Sequence, residues 1–337
     1  MGIQLKKLDV QVVVITGATS GIGLVTARMA AKRYAKLVLA ARNEDALKHL
    51  TEELNEAGGE AMYVVADVGN EADVQKIYDE ALGRFGRFDT WINNAGVSIY
   101  GRLDETSTED HRRLFETNYW GVVYGSLAAV KYLRKHGGAL INVGSILSDR
   151  AIPLQGAYCA SKHAVKGFTD ALRMELEEAD APVSVTLIKP SAIDTPYKDH
   201  AKKYLEVEPE NPPPVYAPET VAEAILFSAE NPERDVFVGG GGKALSALGE
   251  YAPRVTDKVM EMTMFDLQKT DEPPSHEKEG LYDSADSSLR ERGGYAGYVA
   301  ESSLYTKASL HPVTTGAVIA LGIGLIYFAL KRNDDNR

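Results

Sequence analysis

The chain has 337 residues, which is long enough for one large α/β domain with additional segments. Its formal net charge of −11 argues against a nucleic-acid-binding protein, because neutralising phosphates requires a basic face and none is evident. The single cysteine, Cys159, excludes an internal disulfide framework, and the seven histidines show no metal-ligand spacing, so we predict no metal site.

Short β-rich runs alternate with amphipathic helical stretches from residue 10 to residue 265. The predicted strands are Val10–Thr16, Leu37–Ala41, Ala61–Ala66, Thr90–Asn93, Ala139–Val143, Val183–Lys189 and Asp235–Val238. The predicted helices include Glu44–Ala57, Glu71–Phe85, Thr108–Lys135 and Ala157–Ala179. Several strands are continuous apolar runs, which is typical of strands covered on both faces. The alternation predicts a single α/β domain with a doubly wound, Rossmann-like parallel sheet.

The composition changes twice after this domain, which we place at residues 1–265. Residues 266–309 are rich in Asp, Glu, Ser, Gly and Pro with little periodicity, and we predict an acidic, flexible linker there. Residues 310–337 contain Val313–Leu330, an uncharged stretch of 18 residues. As a helix it would extend roughly 27 Å, close to the hydrocarbon thickness of a bilayer.

We therefore predict a transmembrane helix that anchors the protein to a membrane; the alternative is a helix buried against the domain or within a dimer. Lys331 and Arg332 would by themselves place the short tail in the cytoplasm, but they are a weak signal. The N-terminus carries the charged pair Lys6-Lys7 and no apolar signal region. We expect the large domain to face the cytoplasm, and the alternative is a soluble cytoplasmic protein.

A glycine-rich turn joins the first predicted strand to an apolar helix. Its residues are Thr16, Gly17, Ala18, Thr19, Ser20, Gly21, Ile22 and Gly23. Gly17 permits a tight turn, Gly21 lets the backbone approach a pyrophosphate, and Gly23 allows helix and strand to pack closely. The helix start then offers free N–H groups and a positive dipole end to phosphates. Glycine-rich turns are common, but one placed directly after the first strand predicts a dinucleotide site.

The end of the second predicted strand indicates which dinucleotide binds. Folds that prefer NAD usually place a carboxylate there for the ribose 2′-hydroxyl, whereas this chain has Ala41 followed by Arg42. A guanidinium can pair with a 2′-phosphate through hydrogen bonds of roughly 1.5–3 kcal/mol, which is roughly a ten- to hundredfold preference. We therefore predict NADP(H) as the cofactor; the alternative is a solvated arginine at the start of the next helix.

Residues 10–240 resemble the short-chain dehydrogenase/reductase family, because several motifs occur in the family's order. Besides the glycine-rich turn and Arg42, the resemblance assigns cofactor contacts to Asp67, Val68, Asn94, Ala95, Gly96, Pro190, Ile193 and Thr195. It assigns catalytic positions to Asn118, Ser145, Tyr158 and Lys162, the last two also contacting the cofactor. It further implies that Thr195 holds the nicotinamide carboxamide and that Asn118 holds a water connecting Lys162 to solvent. Ser191 replaces a glycine usual in the family, so a more restricted backbone is expected there.

Tyr158 and Lys162 are four residues apart, so on a helix both side chains point to one face. Free tyrosine has a pKa near 10, and a nearby ammonium together with a cationic nicotinamide would lower it. Tyr158 could then serve as general acid in carbonyl reduction or as general base in alcohol oxidation. Ser145 can hydrogen-bond the substrate oxygen as charge develops on it. Each residue alone is more often incidental, but their joint occurrence favours catalysis.

These residues predict an oxidoreductase that transfers a hydride between NADP(H) and an apolar ketone, aldehyde or secondary alcohol. The alternatives are an NAD-dependent alcohol dehydrogenase and a cofactor-binding regulatory module whose catalysis has lapsed, although such a module has no need for all four catalytic residues. Val97–Leu103, Ile146–Gln155 and Pro196–Tyr216 are expected to face the substrate and to form a largely apolar pocket. The resemblance also implies a homo-oligomer that pairs through Thr108–Lys135 and Ala157–Ala179.

Overall fold

A seven-stranded parallel sheet forms the centre of the computed structural model, which describes residues 3–274, 280–284, 289–311 and 315. In chain order the strands are β1 (Val12–Thr16), β2 (Lys36–Ala41), β3 (Glu60–Val65), β4 (Thr90–Asn93), β5 (Ser98–Tyr100), β6 (Gly138–Val143), β7 (Val183–Pro190), β8 (Ala192–Ile193), β9 (Ala201–Lys203), β10 (Val215–Tyr216), β11 (Asp235–Val238) and β12 (Val299–Ala300). The α-helices are α1 (Gly21–Lys32), α2 (Glu44–Glu56), α3 (Glu71–Phe85), α4 (Thr108–Phe115), α5 (Gly121–His136), α6 (Gly156–Glu178), α7 (Pro218–Glu230), α8 (Gly240–Tyr251), α9 (Pro253–Leu267) and α10 (Leu304–Leu310).

The predicted Rossmann-like parallel sheet is confirmed. The strand order is β3-β2-β1-β4-β6-β7-β11, and each neighbouring pair is parallel. All residues of β1 are buried, with Val13 and Ile15 in one core cluster and Val12 and Val14 in another. The sheet is therefore covered on both faces, which explains why its strands read as continuous apolar runs.

The strand order reverses between β1 and β4. The chain runs outward from β1 through β2 to β3, and then returns to β4 on the other side of β1. The connections that leave these two strands run in opposite directions, so a crevice opens at their carboxyl ends, where ligands bind in folds of this kind. The glycine-rich turn follows β1, and Asn94 follows β4, so both lie at this crevice.

The long helix predicted over Thr108–Lys135 is interrupted in the structure. A π-helical turn, Glu116–Trp120, separates α4 from α5, and the predicted catalytic residue Asn118 lies within it. A π turn inserts one extra residue into a helical repeat and is often found at functional sites. The continuous apolar periodicity of this stretch gave no indication of the insertion.

The C-terminal part differs from the flexible linker predicted over 266–309. In the described residues α9 continues to Leu267, β12 joins β10 in a small sheet, and Leu281 is fully buried. These contacts involve backbone groups and isolated apolar side chains, which leave no periodic pattern in the sequence. Within the described ranges, no helix has the length and apolar character needed to cross a bilayer. The predicted span Val313–Leu330 lies outside those ranges except for Thr315, and it stays a prediction.

Candidate active site

The glycine-rich turn is held in place by the backbone and side chain that follow β4. Gly17 has a φ of +67°, and a Cβ there would lie 2.8 Å from the Cα atom of Ala95, so only glycine fits. A Cβ on Gly23 would lie 2.1 Å from the carbonyl oxygen of Gly17. Nδ2 of Asn94 donates to the carbonyl oxygens of Thr16 at 3.0 Å and Gly17 at 3.1 Å. The turn thus has the close approaches that a phosphate-binding turn requires.

A groove of about 150 Å³ lies along this turn, and we call it the glycine-turn groove. The predicted cofactor residues that line it are Gly17, Thr19, Ser20, Gly21, Ile22, Arg42, Asp67, Val68, Asn94, Ala95, Gly96 and Thr195. Ser20 precedes α1, and its hydroxyl makes no cap bond but lies 2.9 Å from Nε2 of His200. Burial, with nearby Arg42 and Arg290, lowers the pKa of His200 to about 4. No sequence pattern indicates that His200 belongs to this groove.

Arg42 is half-buried at one end of the groove and is not merely solvated. Its Nη2 donates to the carbonyl oxygen of Gly280 at 2.7 Å, and its Nη1 donates to that of Tyr282 at 3.1 Å. Burial is the main cause that lowers the pKa of Arg42, and the charge of Asp67 opposes it. A guanidinium has five N–H donors, so these two bonds leave others available for an anion.

Residues 280–284 and 289–292 contact the groove from the C-terminal part of the chain, and we call these two stretches the C-terminal strap. The carbonyl oxygen of Arg290 accepts the backbone N–H of Gly21 at 2.9 Å, and the N–H of Leu289 is donated to the carbonyl oxygen of Thr19 at 2.7 Å. Ser284 lines the groove. The strap therefore bonds both the start of α1 and, through its carbonyl oxygens, the guanidinium at the end of β2.

Tyr158 and Lys162 are buried one turn apart on α6. Nζ of Lys162 donates to the carbonyl oxygen of Val143 at 2.9 Å and lies 5.6 Å from the centroid of the Tyr158 ring. Burial lowers the pKa of Lys162 to about 8. Burial also raises the pKa of Tyr158 to about 12, although hydrogen bonds with Ser145 and Tyr197 oppose it. Burial therefore opposes the lowering predicted from the neighbouring ammonium, and the lowering by a cationic nicotinamide stays a prediction.

Ser145 lies two residues beyond the end of β6, and its side chain is next to Tyr158. Its Oγ accepts the backbone N–H of Leu147 at 3.0 Å, and its own N–H is donated to Oγ of Ser148 at 3.2 Å, which forms a capping box on a short 3₁₀ helix. Because Oγ accepts this bond through one lone pair, its hydroxyl proton stays available for another partner. The hydroxyl can then donate to an oxygen near Tyr158.

Asn118 is fully buried, and its side chain clamps the start of the segment that leads into β5. Its Oδ1 accepts the N–H of Val97 at 2.8 Å, and its Nδ2 donates to the carbonyl oxygen of Val97 at 2.9 Å and to Oγ of Ser161 at 3.2 Å. The side-chain amide therefore holds two elements of the site together. The water that the resemblance assigns to Asn118 stays a prediction.

The predicted nicotinamide segment connects the glycine-turn groove to a second cavity. Pro190, Ile193 and Thr195 all line this second cavity. Ser191 donates its N–H to the carbonyl oxygen of Val238 at 2.9 Å. A Cβ on Gly239 or Gly242 would lie 2.5 Å or 2.6 Å from Oγ of Ser191, so those two glycines provide the room for its side chain. Positive φ values among the described non-glycine residues do not include Ser191, so its backbone needs no glycine.

The second cavity, which we call the Tyr158 cavity, has a volume of about 320 Å³. Ser145, Tyr158 and Lys162 lie on its wall beside Tyr197 and Gln155. The apolar lining includes Ile146, Leu147, Ile152, Pro212, Pro213, Pro214, Leu245, Met260 and Met264. The predicted segments Ile146–Gln155 and Pro196–Tyr216 therefore contribute, whereas Val97 lines the glycine-turn groove instead. The α8 and α9 residues were missed, because nothing in a helical pattern identifies a partner 100 residues away.

Three comparisons place these observations among known proteins. A family model described as short chain dehydrogenase matches residues 11–205. The uncharacterized oxidoreductase YxnA of Bacillus subtilis (strain 168) is 51% identical over 334 residues, covering 98% of this chain and 93% of that protein. The dehydrogenase/reductase SDR family member 7B of Bos taurus is 37% identical over 262 residues, covering 74% of this chain and 80% of that protein.

Two solved structures share the fold. A short chain dehydrogenase/reductase from Burkholderia phymatum in complex with NAD is 29% identical with a TM-score of 0.67, covering 74% of this chain and 96% of that one. An alcohol dehydrogenase from Thermococcus sibiricus complexed with 5-hydroxy-NADP is 29% identical with a TM-score of 0.60, covering 68% of this chain and 95% of that one. Neighbours of this chain therefore bind nicotinamide dinucleotides of both kinds.

Proposed function

Because this chain belongs to the short chain dehydrogenase family, we propose that it is an NADP(H)-dependent oxidoreductase acting on an apolar ketone, aldehyde or secondary alcohol. One observation carries the proposal. Ser145, Tyr158 and Lys162 line a cavity that adjoins the glycine-turn groove, and the two share Asn94 and Thr195 among their lining residues. Groups that can exchange a proton therefore lie beside a groove suited to a dinucleotide.

The residues of the groove fit a nicotinamide dinucleotide. Gly17 and Gly23 allow the turn to pack closely against Ala95 and against its own backbone, and the first turn of α1 directs its N–H groups and positive dipole end towards the groove. Arg42 would bind a 2′-phosphate, and Thr195 would hold the carboxamide near Tyr158. When bound, the nicotinamide supplies or accepts the hydride. The chain's own part is to align the substrate and to move the proton.

Tyr158 would exchange that proton with the substrate oxygen. With a pKa of about 12 its phenol is protonated at neutral pH, so it stands ready as the general acid of carbonyl reduction. In alcohol oxidation the phenolate is needed, and the Lys162 ammonium would stabilise it by charge. Ser145 would donate a hydrogen bond to the substrate oxygen.

The Tyr158 cavity supports an apolar substrate. Its polar side chains, including Ser145, Tyr158, Lys162 and Gln155, are accompanied by a larger set of isoleucine, leucine, methionine and proline side chains. Pockets of this kind use apolar area for affinity and a few polar groups for orientation. We propose a carbonyl group at the polar wall and a hydrocarbon body against Leu245, Met260 and Met264.

Turnover of a panel of apolar carbonyl compounds and alcohols by the full chain tests the activity. Tyr158→Phe should bind cofactor, measured by fluorescence titration, yet lose roughly a hundredfold or more of turnover, because only the transferable proton is deleted. Tyr298→Phe alters an 85% exposed tyrosine and is the matched control. Ordinary activity in Tyr158→Phe would refute the assignment. A wild-type chain that binds cofactor but turns over no compound would favour the lapsed regulatory module.

The cofactor preference is tested by comparing kcat/KM for NADPH and NADH in the wild type and in Arg42→Ala. We expect a wild-type preference for NADPH that falls roughly tenfold or more in the variant, because one charge-assisted contact is lost. Arg254→Ala, whose side chain is 78% exposed, is the control. Equal use of both cofactors by the wild type would favour an NAD-dependent or dual enzyme.

Two features of the whole chain belong to the same proposal. Residues 310–337 would anchor the enzyme to a membrane with the domain on the cytoplasmic side, and the subunits would form a homo-oligomer. The uncharged stretch Val313–Leu330 supports the anchor. Exposed apolar side chains on the helices that the family resemblance assigns to pairing support the oligomer.

A further inference from the structure

A chain of polar side chains leads away from Tyr158 into the C-terminal part of the molecule. The rings of Tyr158 and Tyr197 meet edge to face with centroids 5.5 Å apart, and the neighbouring Tyr197 hydroxyl lowers the pKa of Tyr158 against the larger effect of burial. The Tyr197 hydroxyl donates to Oε1 of Gln155 at 3.4 Å, and Nε2 of Gln155 donates to Oε1 of Gln268 at 2.7 Å. Gln155 and Gln268 are 4% and 0% exposed. Gln268 lies beyond the residues that match the family model.

The orientation of both amides follows from their fixed partners. Nε2 of Gln268 donates to the carbonyl oxygens of Pro153 and Met264, both at 2.9 Å, and a carbonyl oxygen can only accept. Oε1 of Gln268 therefore faces Gln155, which must present its Nε2 there. Oε1 of Gln155 therefore points towards Tyr197, and an amide oxygen can only accept a hydrogen bond.

Tyr197 consequently has one hydroxyl proton and three oxygens near it. They are Oε1 of Gln155, the oxygen of Tyr158 and Oγ of Ser98, and the last carries a proton with which it can itself donate to Tyr197. While Tyr158 is a neutral phenol, the amide oxygen is the acceptor that the geometry fixes. Once Tyr158 is a phenolate, its charged oxygen becomes the stronger acceptor in this buried setting.

We propose that Tyr197 is a positioning residue for Tyr158, its hydroxyl donating to Gln155 when Tyr158 is protonated and turning to donate to Tyr158 when that residue is ionised. No proton leaves Tyr197; only its hydrogen bond changes partner. The proposal rests on the proposed function, because it assigns the proton exchange to Tyr158. Gln268 influences which of the two hydrogen bonds Tyr197 makes, because it holds Gln155 so that Oε1 can accept from Tyr197.

The two acceptors give two variants with opposite expected effects. Tyr197→Phe keeps the ring but removes the donor, so the phenolate of Tyr158 loses stabilisation and its pKa rises. Gln155→Leu removes the competing acceptor, so Tyr197 donates to Tyr158 at all times and the pKa falls. A residue that merely shaped the cavity would not shift a pH profile in opposite directions in these two variants.

The experiment measures kcat/KM against pH for the full chain oxidising cyclohexanol, or a faster apolar alcohol of the same panel, with NADP⁺. The ascending limb, where kcat/KM rises as Tyr158 ionises, should move up by about one pH unit in Tyr197→Phe, equivalent to a tenfold change, and should move down in Gln155→Leu. Tyr100→Phe is the control, because its ring packs against Tyr197 at 6.3 Å and it should leave the limb in place.

The possible outcomes separate this inference from the proposed function. An unmoved limb in both Tyr197→Phe and Gln155→Leu would overturn it while leaving the role of Tyr158 intact. Ordinary turnover in Tyr158→Phe would instead remove the proposed function and this inference together. Circular dichroism and cofactor titration show whether each variant folds. If Tyr197→Phe does not fold, the direction of the Gln155→Leu shift alone decides.

Discussion

Lys162 is buried, and burial disfavours the charged form of its side chain. Burial lowers its pKa from 10.5 to about 8, so the folded protein releases this proton before the unfolded chain does. Between pH 8 and 10.5 the unfolded state binds more protons than the folded state. The contribution of Lys162 to the free energy of unfolding therefore rises with pH in this range. Below pH 8 the buried ammonium costs about 3 kcal/mol, at 1.36 kcal/mol per pKa unit.

At pH 7, Lys162→Met should therefore unfold at a higher urea concentration than the wild type, and its free energy of unfolding should be larger by about 1–3 kcal/mol. Its turnover should be lost. The pH dependence of stability between about 8 and 10.5 should also flatten, because the titrating group is gone. Lys166→Met is the control, since Lys166 lies one turn further along α6 and pairs with Asp170 at its surface. A destabilised Lys162→Met at both pH 7 and pH 9.5 would contradict the cost assigned to burial.

The π turn between α4 and α5 is joined to the segment before β5 by the side-chain amide of Asn118. Asn118→Ala would leave the N–H and carbonyl of Val97 without their partners, and buried groups of this kind cost about 1–3 kcal/mol each. We expect a loss of about 2–4 kcal/mol in the free energy of unfolding, measured by urea denaturation. Turnover should fall as well, because Val97 follows Gly96 at the groove.

Asn55→Ala is the matched control for that experiment. Asn55 makes the same pair of bonds to one backbone, with Oδ1 accepting the N–H of Ala61 at 2.7 Å and Nδ2 donating to its carbonyl oxygen at 3.1 Å. Both bonds are exposed, so water can replace them and the loss should stay below about 1.5 kcal/mol. Equal losses in the two variants would show that burial does not set the cost at Asn118.

The elements differ in how much of them the sequence predicts. β4 and β11 have the predicted bounds, because each is a short run around buried apolar residues, at 91–92 and 236–238. The residues of the glycine-rich turn and of the Tyr158–Lys162 pair were predictable, since fixed spacings bring them together. Tyr197 and Gln155 fall in segments predicted to face the substrate, but their contact with each other was not predictable, because no local pattern marks residues that meet through tertiary structure. The π turn and the C-terminal strap depend on backbone hydrogen bonds, which any side chain allows.

At the scale of the whole molecule, the helices predicted to pair between subunits carry exposed apolar side chains. Leu127 on α5 and Met174 on α6 are 52% and 58% exposed, and Trp120 of the π turn is 44% exposed. We expect multi-angle light scattering at micromolar concentration to show a homo-oligomer, and Leu127→Glu to weaken it by placing charge in an apolar contact. Val10→Glu, at a 53% exposed position away from these helices, is the control. A monomeric wild type would contradict the prediction.

Membrane attachment is a second prediction for the whole chain. After ultracentrifugation of lysed cells, the full chain should sediment with membranes and should be released by detergent. A chain ending at His311 should stay in the supernatant, because it lacks Val313–Leu330 but keeps α10 and the buried Leu310. Full-length protein that stays in the supernatant without detergent would indicate a helix packed on the domain or between subunits.

The C-terminal strap is synthesised long after the helix start to which it is hydrogen-bonded. Arg290, whose carbonyl oxygen accepts the N–H of Gly21, follows it by 269 positions in the chain. A ribosome adding roughly 5–20 residues per second needs roughly 13–54 s to cover that distance. A nascent chain therefore displays the start of α1 with this donor open, whereas the finished chain has already bonded it. A phosphate that takes the Gly21 N–H of a completed molecule must therefore displace the carbonyl oxygen of Arg290.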